Sequence, residues 1–319
     1  VYDVTVRSCY VHDVTAAVSN AKLTGGILGM GSVYHIDGST VFPSGQNSAR
    51  RNMVGFDGLL FENNHVKNVA KEGVRTSGSG DGSPFRNQKT HRNVTIRGNY
   101  IEDIFGDGIV LAEVGSNGLV EYNVVKNHCN YSTVNYAGLW DWYCNDSVVR
   151  YNEVFGGEYG YNDGEAFDFD NGSTNFTYEY NFSHHNKGGL LLTMSGAGQT
   201  TNNFRYNISV NDGKQAQALF HIPTQNAKVY NNTMYIGKGY NTSVYDGSGN
   251  TLNFFKNNIV LVHGEMPSFS KVSLTLNSKA DICNNTLYPA GIMENVGLPG
   301  CVLACNFLFT RALFSPLLF

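Results

Sequence analysis

The sequence predicts an all-β solenoid, a parallel β-helix of about ten coils with three short strands in each coil. An asparagine recurs inside a short β-branched and aromatic phrase from Asn99 to Asn285, at intervals of 24, 29, 29, 26, 25, 26 and 27 residues. Such regular spacing is typical of stacked repeats. No repeat contains a stretch of 3.6-residue periodicity long enough for a helix, which excludes helical repeats.

The coil that contains Asn99 shows how each element arises. It reads as a strand at 94–96, a turn at Gly98 and Asn99, a second strand at 100–104 and a third strand from Ile109. Asparagine tolerates the left-handed backbone region at turns, and its amide can bond to the equivalent asparagine one coil away. We therefore expect the recurrent asparagines to form a structural ladder.

Domain organisation follows from the extent of the repeat. We expect residues 1–285 to form the β-helix and residues 286–319, which lack the repeat, to form a C-terminal capping or irregular segment. A hydrophobic fraction of 41% supplies the interior, and only 15% of the residues are charged. This composition suits one continuous core.

Charge and composition also limit the partners. The net charge of -4 provides no clustered positive field for nucleic acid, and the apolar C-terminal stretch is too short and interrupted for a membrane span. Six cysteines and sequons such as Asn93 and Asn145 are compatible with an oxidising compartment. We expect a secreted or cell-surface, glycosylated monomer that binds neither nucleic acid nor membranes.

Three acids depart from the repeat on the third strands of two neighbouring coils. If the large aromatic residues of these strands face inward, Asp141, Asp168 and Asp170 face outward. Asp141 would then lie about 5 Å from Asp168 across the ladder, and Asp170 about 6.8 Å from Asp168 along the strand. Like charges this close destabilise a scaffold, so the cluster favours a chemical role.

Paired carboxylates of this kind suit glycoside hydrolysis. Repulsion keeps one carboxyl protonated as the acid while its neighbour stays ionised, and separations of about 5 to 9.5 Å serve retaining or inverting enzymes. We expect Asp168 to act as nucleophile or general base, with Asp141 or Asp170 as the acid. Either stereochemical outcome fits these spacings.

Further residues near the acids are candidates for substrate binding. They are Glu165, Asp163, Trp140, Tyr161, His184, His185, Arg75 and His221. Aromatic rings stack on sugar CH groups, and an arginine could bind a uronic carboxylate. Structural roles are the alternative: Asp163 as a turn residue, the two histidines as a surface turn, and Trp140 as core.

The acidic cluster leaves two other functions open. Calcium, which prefers several carboxylate oxygens, could bind at Glu165, Asp168 and Asp170, although we expect no cofactor to be required. With calcium, the protein would be a polysaccharide lyase or epimerase acting on a uronate polymer. A non-catalytic glycan-binding or structural surface rod is the third possibility, and an error of one residue in the assumed strand register would favour it.

The phrases VTIRGNYIEDIFGDGIVL and SVVRYNEVF resemble the pectate-lyase-like superfamily of right-handed parallel β-helix proteins. NDGEAFDFDNGS and YEYNFSHHNKGG are similar to a pattern found in secreted β-helix proteins grouped with glycoside hydrolases. The four catalytic motifs of polygalacturonases are absent. The resemblance implies a right-handed coil and activity on carbohydrate, most simply as a glycoside hydrolase that cleaves a polysaccharide or oligosaccharide.

Overall fold

The chain folds as a right-handed parallel β-helix, with three parallel sheets that run along its axis. The computed structural model describes residues 1–16, 22, 24–35, 51–78, 90–131, 134–160, 163–194, 201–215, 218–221, 227–240, 242–246, 254–263, 284–288 and 302–303. Each complete coil contributes one strand to each sheet. Among these residues we find no helix of the length and apolarity that crossing a membrane requires.

The sheets are named A, B and C in the order in which a coil visits them. Sheet A contains β1 (Tyr2–Arg7), β6 (Asp57–Glu62), β9 (His91–Arg97), β12 (Val114–Glu121), β15 (Asn145–Arg150), β18 (Thr174–Glu179), β21 (Asn202–Arg205), β24 (Ala227–Tyr230) and β27 (Phe255–Lys256). Sheet B contains β2 (Tyr10–Val14), β7 (His65–Val69), β10 (Tyr100–Ile104), β13 (Val124–Lys126), β16 (Glu153–Phe155), β19 (Phe182–His184), β22 (Ile208–Val210), β25 (Thr233–Ile236), β28 (Ile259–Val262), β29 (Asn285–Tyr288) and β30 (Val302–Leu303). Sheet C contains β3 (Gly25–Met30), β8 (Glu72–Ser77), β11 (Asp107–Ala112), β14 (Leu139–Trp142), β17 (Phe167–Phe169), β20 (Leu191–Thr193), β23 (Ala218–His221) and β26 (Ser243–Asp246). The antiparallel pair β4 (Ser32–His35) and β5 (Arg51–Val54) forms a separate small sheet.

The predicted asparagine ladder is present at the corner between sheets A and B. Asn99 donates its side-chain amide to Asn123 Oδ1 at 2.8 Å, and Asn123 donates in the same way to Asn152 Oδ1 at 2.9 Å. The pattern continues through every recurrent asparagine from Asn64 to Asn285. These side chains are buried, so the ladder satisfies amides that the interior would otherwise leave unpaired.

The left-handed turn is made by the residue before each ladder asparagine rather than by the asparagine itself. Tyr122 and Tyr151, for example, have φ of 55° and 54°. A tyrosine in this region costs roughly 1 kcal/mol. The turn directs the next side chain inward, where the ladder hydrogen bonds offset that cost.

The interior of the coil is one continuous hydrophobic cluster. In the coils near the acids it is aromatic, with Phe167, Phe169, Phe176, Tyr178 and Phe204 fully buried. A second, smaller cluster lies on the outer face of sheet C and contains Val110, Ala112, Ala137 and Trp140, with Trp142 packed against it. The outer face of sheet C is therefore covered rather than solvated.

Candidate active site

One outward row of sheet C brings several predicted residues into line. The register pairs Arg75 with Val110, Val110 with Trp140, Trp140 with Asp168, Asp168 with Leu192, and Leu192 with His221. Phe167 and Phe169 belong to the inner cluster, so Asp168 between them points outward. Asp168 and Trp140 are thus side by side on neighbouring coils.

A pocket opens at this point of the outer face. It is lined by Lys22, Asp107, Asn135, Tyr136, Ala137, Trp140, Asp163, Asp168, Asp170 and Met194. Asp168 and Asp170 come from β17 and the residue after it, while Asp163 comes from a loop closed by two backbone hydrogen bonds of 3.1 Å to Gly160. Three predicted acids and one predicted aromatic residue therefore share one cavity.

The carboxyl groups of the pocket differ in environment. Burial raises the pKa of Asp163 to about 6, and it raises the pKa of Asp168 well above the usual range, with the nearby carboxyls of Asp170 and Asp163 adding to the effect. Asp170 is only partly buried, and its Oδ1 accepts hydrogen bonds from Asn171 N at 2.7 Å and Asn171 Nδ2 at 2.9 Å. Burial therefore favours the protonated form of both Asp163 and Asp168.

Two buried polar atoms of the pocket have no hydrogen-bond partner of normal geometry among the described residues. They are Asp168 Oδ1 and Trp140 Nε1, on side chains that are each 5% exposed. A buried acceptor or donor without a partner costs about 1–3 kcal/mol. Both side chains also line the pocket.

One wall of the pocket was not predicted. Lys22 Nζ lies 3.3 Å from Asp107 Oδ2 and 4.6 Å from the ring centroids of both Tyr136 and Trp140. Lys22 precedes the strand β3 and is separated from Asp107 by 85 positions in the sequence. No repeat pattern marks such a residue.

The predicted orientation of Asp141 is wrong. Its register partner is Phe169, not Asp168, so it points inward and is fully buried. The prediction placed Trp140 and Trp142 in the core because of their size, but both pack on the outer cluster. The inward acid is accommodated because its Oδ1 forms a hydrogen bond with Tyr178 Oη, at a distance of 2.9 Å.

Glu165 has counterparts in the neighbouring coils. Backbone hydrogen bonds along sheet C place it in the row of Glu72, Asp107 and Ala137. It is buried beside the pocket, accepts a hydrogen bond from Gly164 N at 3.1 Å, and has a pKa that burial raises to about 8. When ionised, it also raises the pKa of Asp168.

The other predicted binding residues lie outside the pocket lining. Arg75 is buried, is paired with Glu72, and has its guanidinium carbon 5.5 Å from the Trp140 ring centroid, so it supports that wall from behind. His184 is on sheet B, where it contacts Glu153 at 3.1 Å. Two further predicted residues, His185 and His221, are not in the lining, and Tyr161 lies outside the described residues.

The acidic side chains in and beside the pocket are also the candidates for metal binding. Among the described residues, no group of three or more histidine, cysteine, aspartate or glutamate side chains has an arrangement that could hold a metal ion. This holds for the predicted calcium ligands Glu165, Asp168 and Asp170 as well. Calcium at this cluster stays a prediction.

Comparison with known proteins points to one group of enzymes. The chain matches no family model. It is 30% identical to a lacto-N-biosidase of Bifidobacterium longum subsp. longum, over 81% of this chain and 17% of that relative. The crystal structure of the GH136 lacto-N-biosidase from Eubacterium ramulus superposes with a TM-score of 0.60 at 23% identity, covering 82% of this chain and 43% of that one.

The selenomethionine derivative of the same enzyme gives a TM-score of 0.59 at 22% identity. At these identities the structural likeness supports the fold, a β-helix. The chain spans less than half the length of each of these relatives.

Proposed function

We propose that this chain carries the active site of a glycoside hydrolase that cleaves an oligosaccharide. The observation that carries the proposal is the pocket on sheet C, where Asp163, Asp168 and Asp170 meet the unpaired Trp140 Nε1. Paired carboxyls with different charge states are what glycosidic cleavage requires. The 30% identity to a lacto-N-biosidase supports the same class of reaction.

The roles of the acids follow from their environments. Asp163, with a pKa of about 6 and a place on the pocket wall, is the general acid that protonates the departing oxygen. Asp170, which is partly exposed and whose Oδ1 accepts two hydrogen bonds from Asn171, is the nucleophile or the general base. This differs from the assignment made from sequence, in which Asp168 held that role.

Asp168 then binds substrate rather than attacking it. Because burial raises its pKa well above the usual range, its carboxyl is neutral and can donate a hydrogen bond to a sugar hydroxyl. Trp140 Nε1 donates another, and the Tyr136 and Trp140 rings offer apolar surface. These contacts orient a sugar ring against Asp163 and Asp170.

Lacto-N-biosides are the first substrates to test, since both relatives take their name from them. The remaining expectations belong to the same proposal: a secreted or cell-surface, glycosylated monomer of the pectate-lyase-like superfamily, without nucleic acid or membrane partners. Reducing ends released without an ultraviolet-absorbing unsaturated product would separate hydrolysis from a lyase reaction. A bound sugar that stays uncleaved would favour the glycan-binding rod.

The decisive experiment compares a natural oligosaccharide with a chromogenic lacto-N-bioside. Asp170→Asn should lower kcat/KM on both by on the order of 10³-fold, because attack on the sugar is lost. Asp163→Asn should lower kcat/KM by as much on the oligosaccharide. On the chromogenic substrate, whose leaving group needs no acid, it should lower kcat/KM far less. Reducing ends and released chromophore measure the two rates.

The matched control is Asp146→Asn. Asp146 is exposed on sheet A, contacts Asn175 and has φ of 45°, a conformation that asparagine also tolerates. Its activity should equal that of the wild type. The proposal fails if no oligosaccharide responds to the wild type, or if the control loses as much activity as the pocket variants.

A further inference from the structure

A polar contact links the interior of the coil to the strand that carries the pocket acids. Tyr178, on β18 of sheet A, reaches across the core to sheet C, where its ring centroid lies 4.8 Å from that of Phe169 and 5.5 Å from that of Phe167. Its hydroxyl oxygen is 2.9 Å from Asp141 Oδ1 and 3.0 Å from the carbonyl oxygen of Asp168. All three groups are buried.

The number of protons shared by these three oxygens determines which groups donate and which accept. The Tyr178 hydroxyl has one proton and can donate it to only one of two oxygens. The Asp168 carbonyl has no proton to give. Both contacts are therefore full, two-centre hydrogen bonds only if Asp141 carries a proton, which it donates to Tyr178 while Tyr178 donates to Asp168.

The surroundings of Asp141 agree with a neutral acid. Burial raises the pKa of Asp141 well above the usual range, against the opposing effect of the Ser173 and Tyr178 hydroxyls. Its Oδ2 has no hydrogen-bond partner of normal geometry among the described residues. An unpartnered oxygen in the core is far less costly on a neutral carboxyl than on an ionised one.

Asp212 shows what a buried carboxylate looks like in the same fold. It is fully buried, yet Ser183 Oγ and Ser209 Oγ each donate to it at 2.6 Å, and Asn186 donates its N and Nδ2 at 3.0 and 2.9 Å. Four donors can compensate a negative charge. Asp141 has no comparable set of four hydrogen-bond donors among the described residues.

We propose that Asp141 is a protonated carboxylic acid in the folded protein and that, through the Tyr178 hydroxyl, it positions the end of β17 that bears Asp168 and Asp170. It is a positioning residue, since it touches neither pocket nor substrate. Its neutrality also keeps a negative charge away from Asp170, which lies close enough to act on it electrostatically. The positioning role rests on the proposed function of the pocket.

The first test is independent of activity. The infrared difference spectrum between wild type and Asp141→Asn at neutral pH should show the loss of the carbonyl stretch of a protonated carboxylic acid. Loss of a carboxylate band instead would overturn the inference. Asp212→Asn, measured above the pKa of about 6 of that group, is the control and should lose a carboxylate band.

Tyr178→Phe provides a second spectroscopic variant that preserves the ring. It should shift the Asp141 carbonyl band, because the acid loses the oxygen to which it donates. An unshifted band would contradict the chain of hydrogen bonds. These spectra decide the protonation of Asp141 whether or not any sugar is cleaved, so failure here is distinguishable from failure of the proposed function.

The second test measures kcat and KM separately. Asparagine keeps the shape of the neutral acid and can still donate to Tyr178, so Asp141→Asn should retain kcat within about three-fold of the wild type. Asp141→Leu and Tyr178→Phe should lower kcat on the order of ten- to hundred-fold with little change in KM, because displaced catalytic groups lose rate rather than binding. Equal losses in Asp141→Asn and Asp141→Leu, or a wild-type kcat in Tyr178→Phe, would overturn the positioning role.

Discussion

Two parts of each coil treat buried polar groups in opposite ways. At the corner between sheets A and B, Asn152 donates its backbone N to Asn181 Oδ1 at 3.0 Å, and its side-chain amide also reaches Val120 O at 2.9 Å. On the outer face of sheet C, Asp168 Oδ1 and Trp140 Nε1 are just as hidden but have no partner of normal geometry among the described residues. One region completes its hydrogen bonds internally and the other leaves them open.

The difference teaches where function resides in a repetitive fold. The ladder recurs identically from coil to coil, so it stabilises the stack and can do little else. The pocket occurs where the repeat is broken by acids and aromatic rings, at a cost in free energy that the ladder and the core offset. The ladder at the corner between sheets A and B thus provides stability, while the outer face of sheet C holds the pocket.

Among single substitutions, breaking the ladder should cause the largest loss of stability. Asn152→Ala removes the oxygen that accepts hydrogen bonds from Asn123 N at 3.0 Å and Asn123 Nδ2 at 2.9 Å, both buried. We expect the free energy of unfolding to fall by about 3 kcal/mol, since several buried donors and acceptors lose partners. Urea denaturation measures this loss, and kcat of the folded variant should be unchanged.

Asn130→Ala is the control for this comparison, because Asn130 is only partly buried and lies outside the ladder. It should cost about 0.5 kcal/mol or less. A ladder variant that is as stable as this control would mean that the asparagines do not stabilise the stack.

The acids beside the pocket should destabilise the fold as pH rises. Glu165 has a folded pKa of about 8 against an ordinary value of 4.5, so between these values the native state holds a proton that the unfolded chain has released. The free energy of unfolding therefore falls as pH rises through this window, by on the order of 5 kcal/mol. Asp163 adds a change of the same sign between 3.8 and about 6.

Glu165→Gln should remove most of this slope, which melting temperatures at pH 5 and pH 8.5 would reveal. Glu158→Gln, at a surface ion pair with Lys187, should leave the slope unchanged. Greater stability of the wild type at the higher pH would show that Glu165 is not a buried neutral acid.

A smaller effect should come from the unpaired donor of the pocket. Trp140→Phe keeps an aromatic ring but removes Nε1, so substrate loses one hydrogen bond of about 1 kcal/mol and KM rises five- to ten-fold. Trp142→Phe is the matched control, since Trp142 packs on the outer cluster but does not line the pocket. Equal KM values in the two variants would contradict a hydrogen bond from Trp140 to the sugar.

Metal removal should have the smallest effect of all. Near neutral pH, Glu165 and Asp168 are protonated because burial raises their pKa values, and protonated carboxyls are poor calcium ligands. We expect a chelator to leave kcat and the melting temperature unchanged. A melting temperature that rises with added calcium would instead support the calcium site predicted at Glu165, Asp168 and Asp170.

The fold was predictable because the stack imposes one local pattern on every coil. Regular asparagine intervals predicted the β-helix and the ladder, and both are confirmed. The left-handed residue was misplaced by one position, because a tyrosine such as Tyr122 is not an obvious choice for that conformation. The division of the chain at residue 285 stays a prediction.

The site was predictable only where it lies on the repeat. Asp168, Asp170 and Trp140 belong to third-strand positions that can be aligned by eye. The orientation of Asp141 depends on Tyr178, 37 residues away, and the Lys22 wall depends on a contact over 85 residues, so no local pattern could reveal either. The size of the tryptophans suggested core packing, and the outer cluster of sheet C reversed that inference.

The ladder also sets a rule for how such a chain can change length. Asn99 and Asn123 are 24 residues apart and Asn123 and Asn152 are 29 apart, yet the two amide contacts measure 2.8 and 2.9 Å. Insertions of a few residues are therefore absorbed by bulging loops elsewhere in the coil. Deletion of residues 207–231 would join Tyr206 to Asn232. The asparagine ladder would then continue with one coil fewer. A β-helix of this kind can therefore gain or lose whole coils without a change in its asparagine ladder.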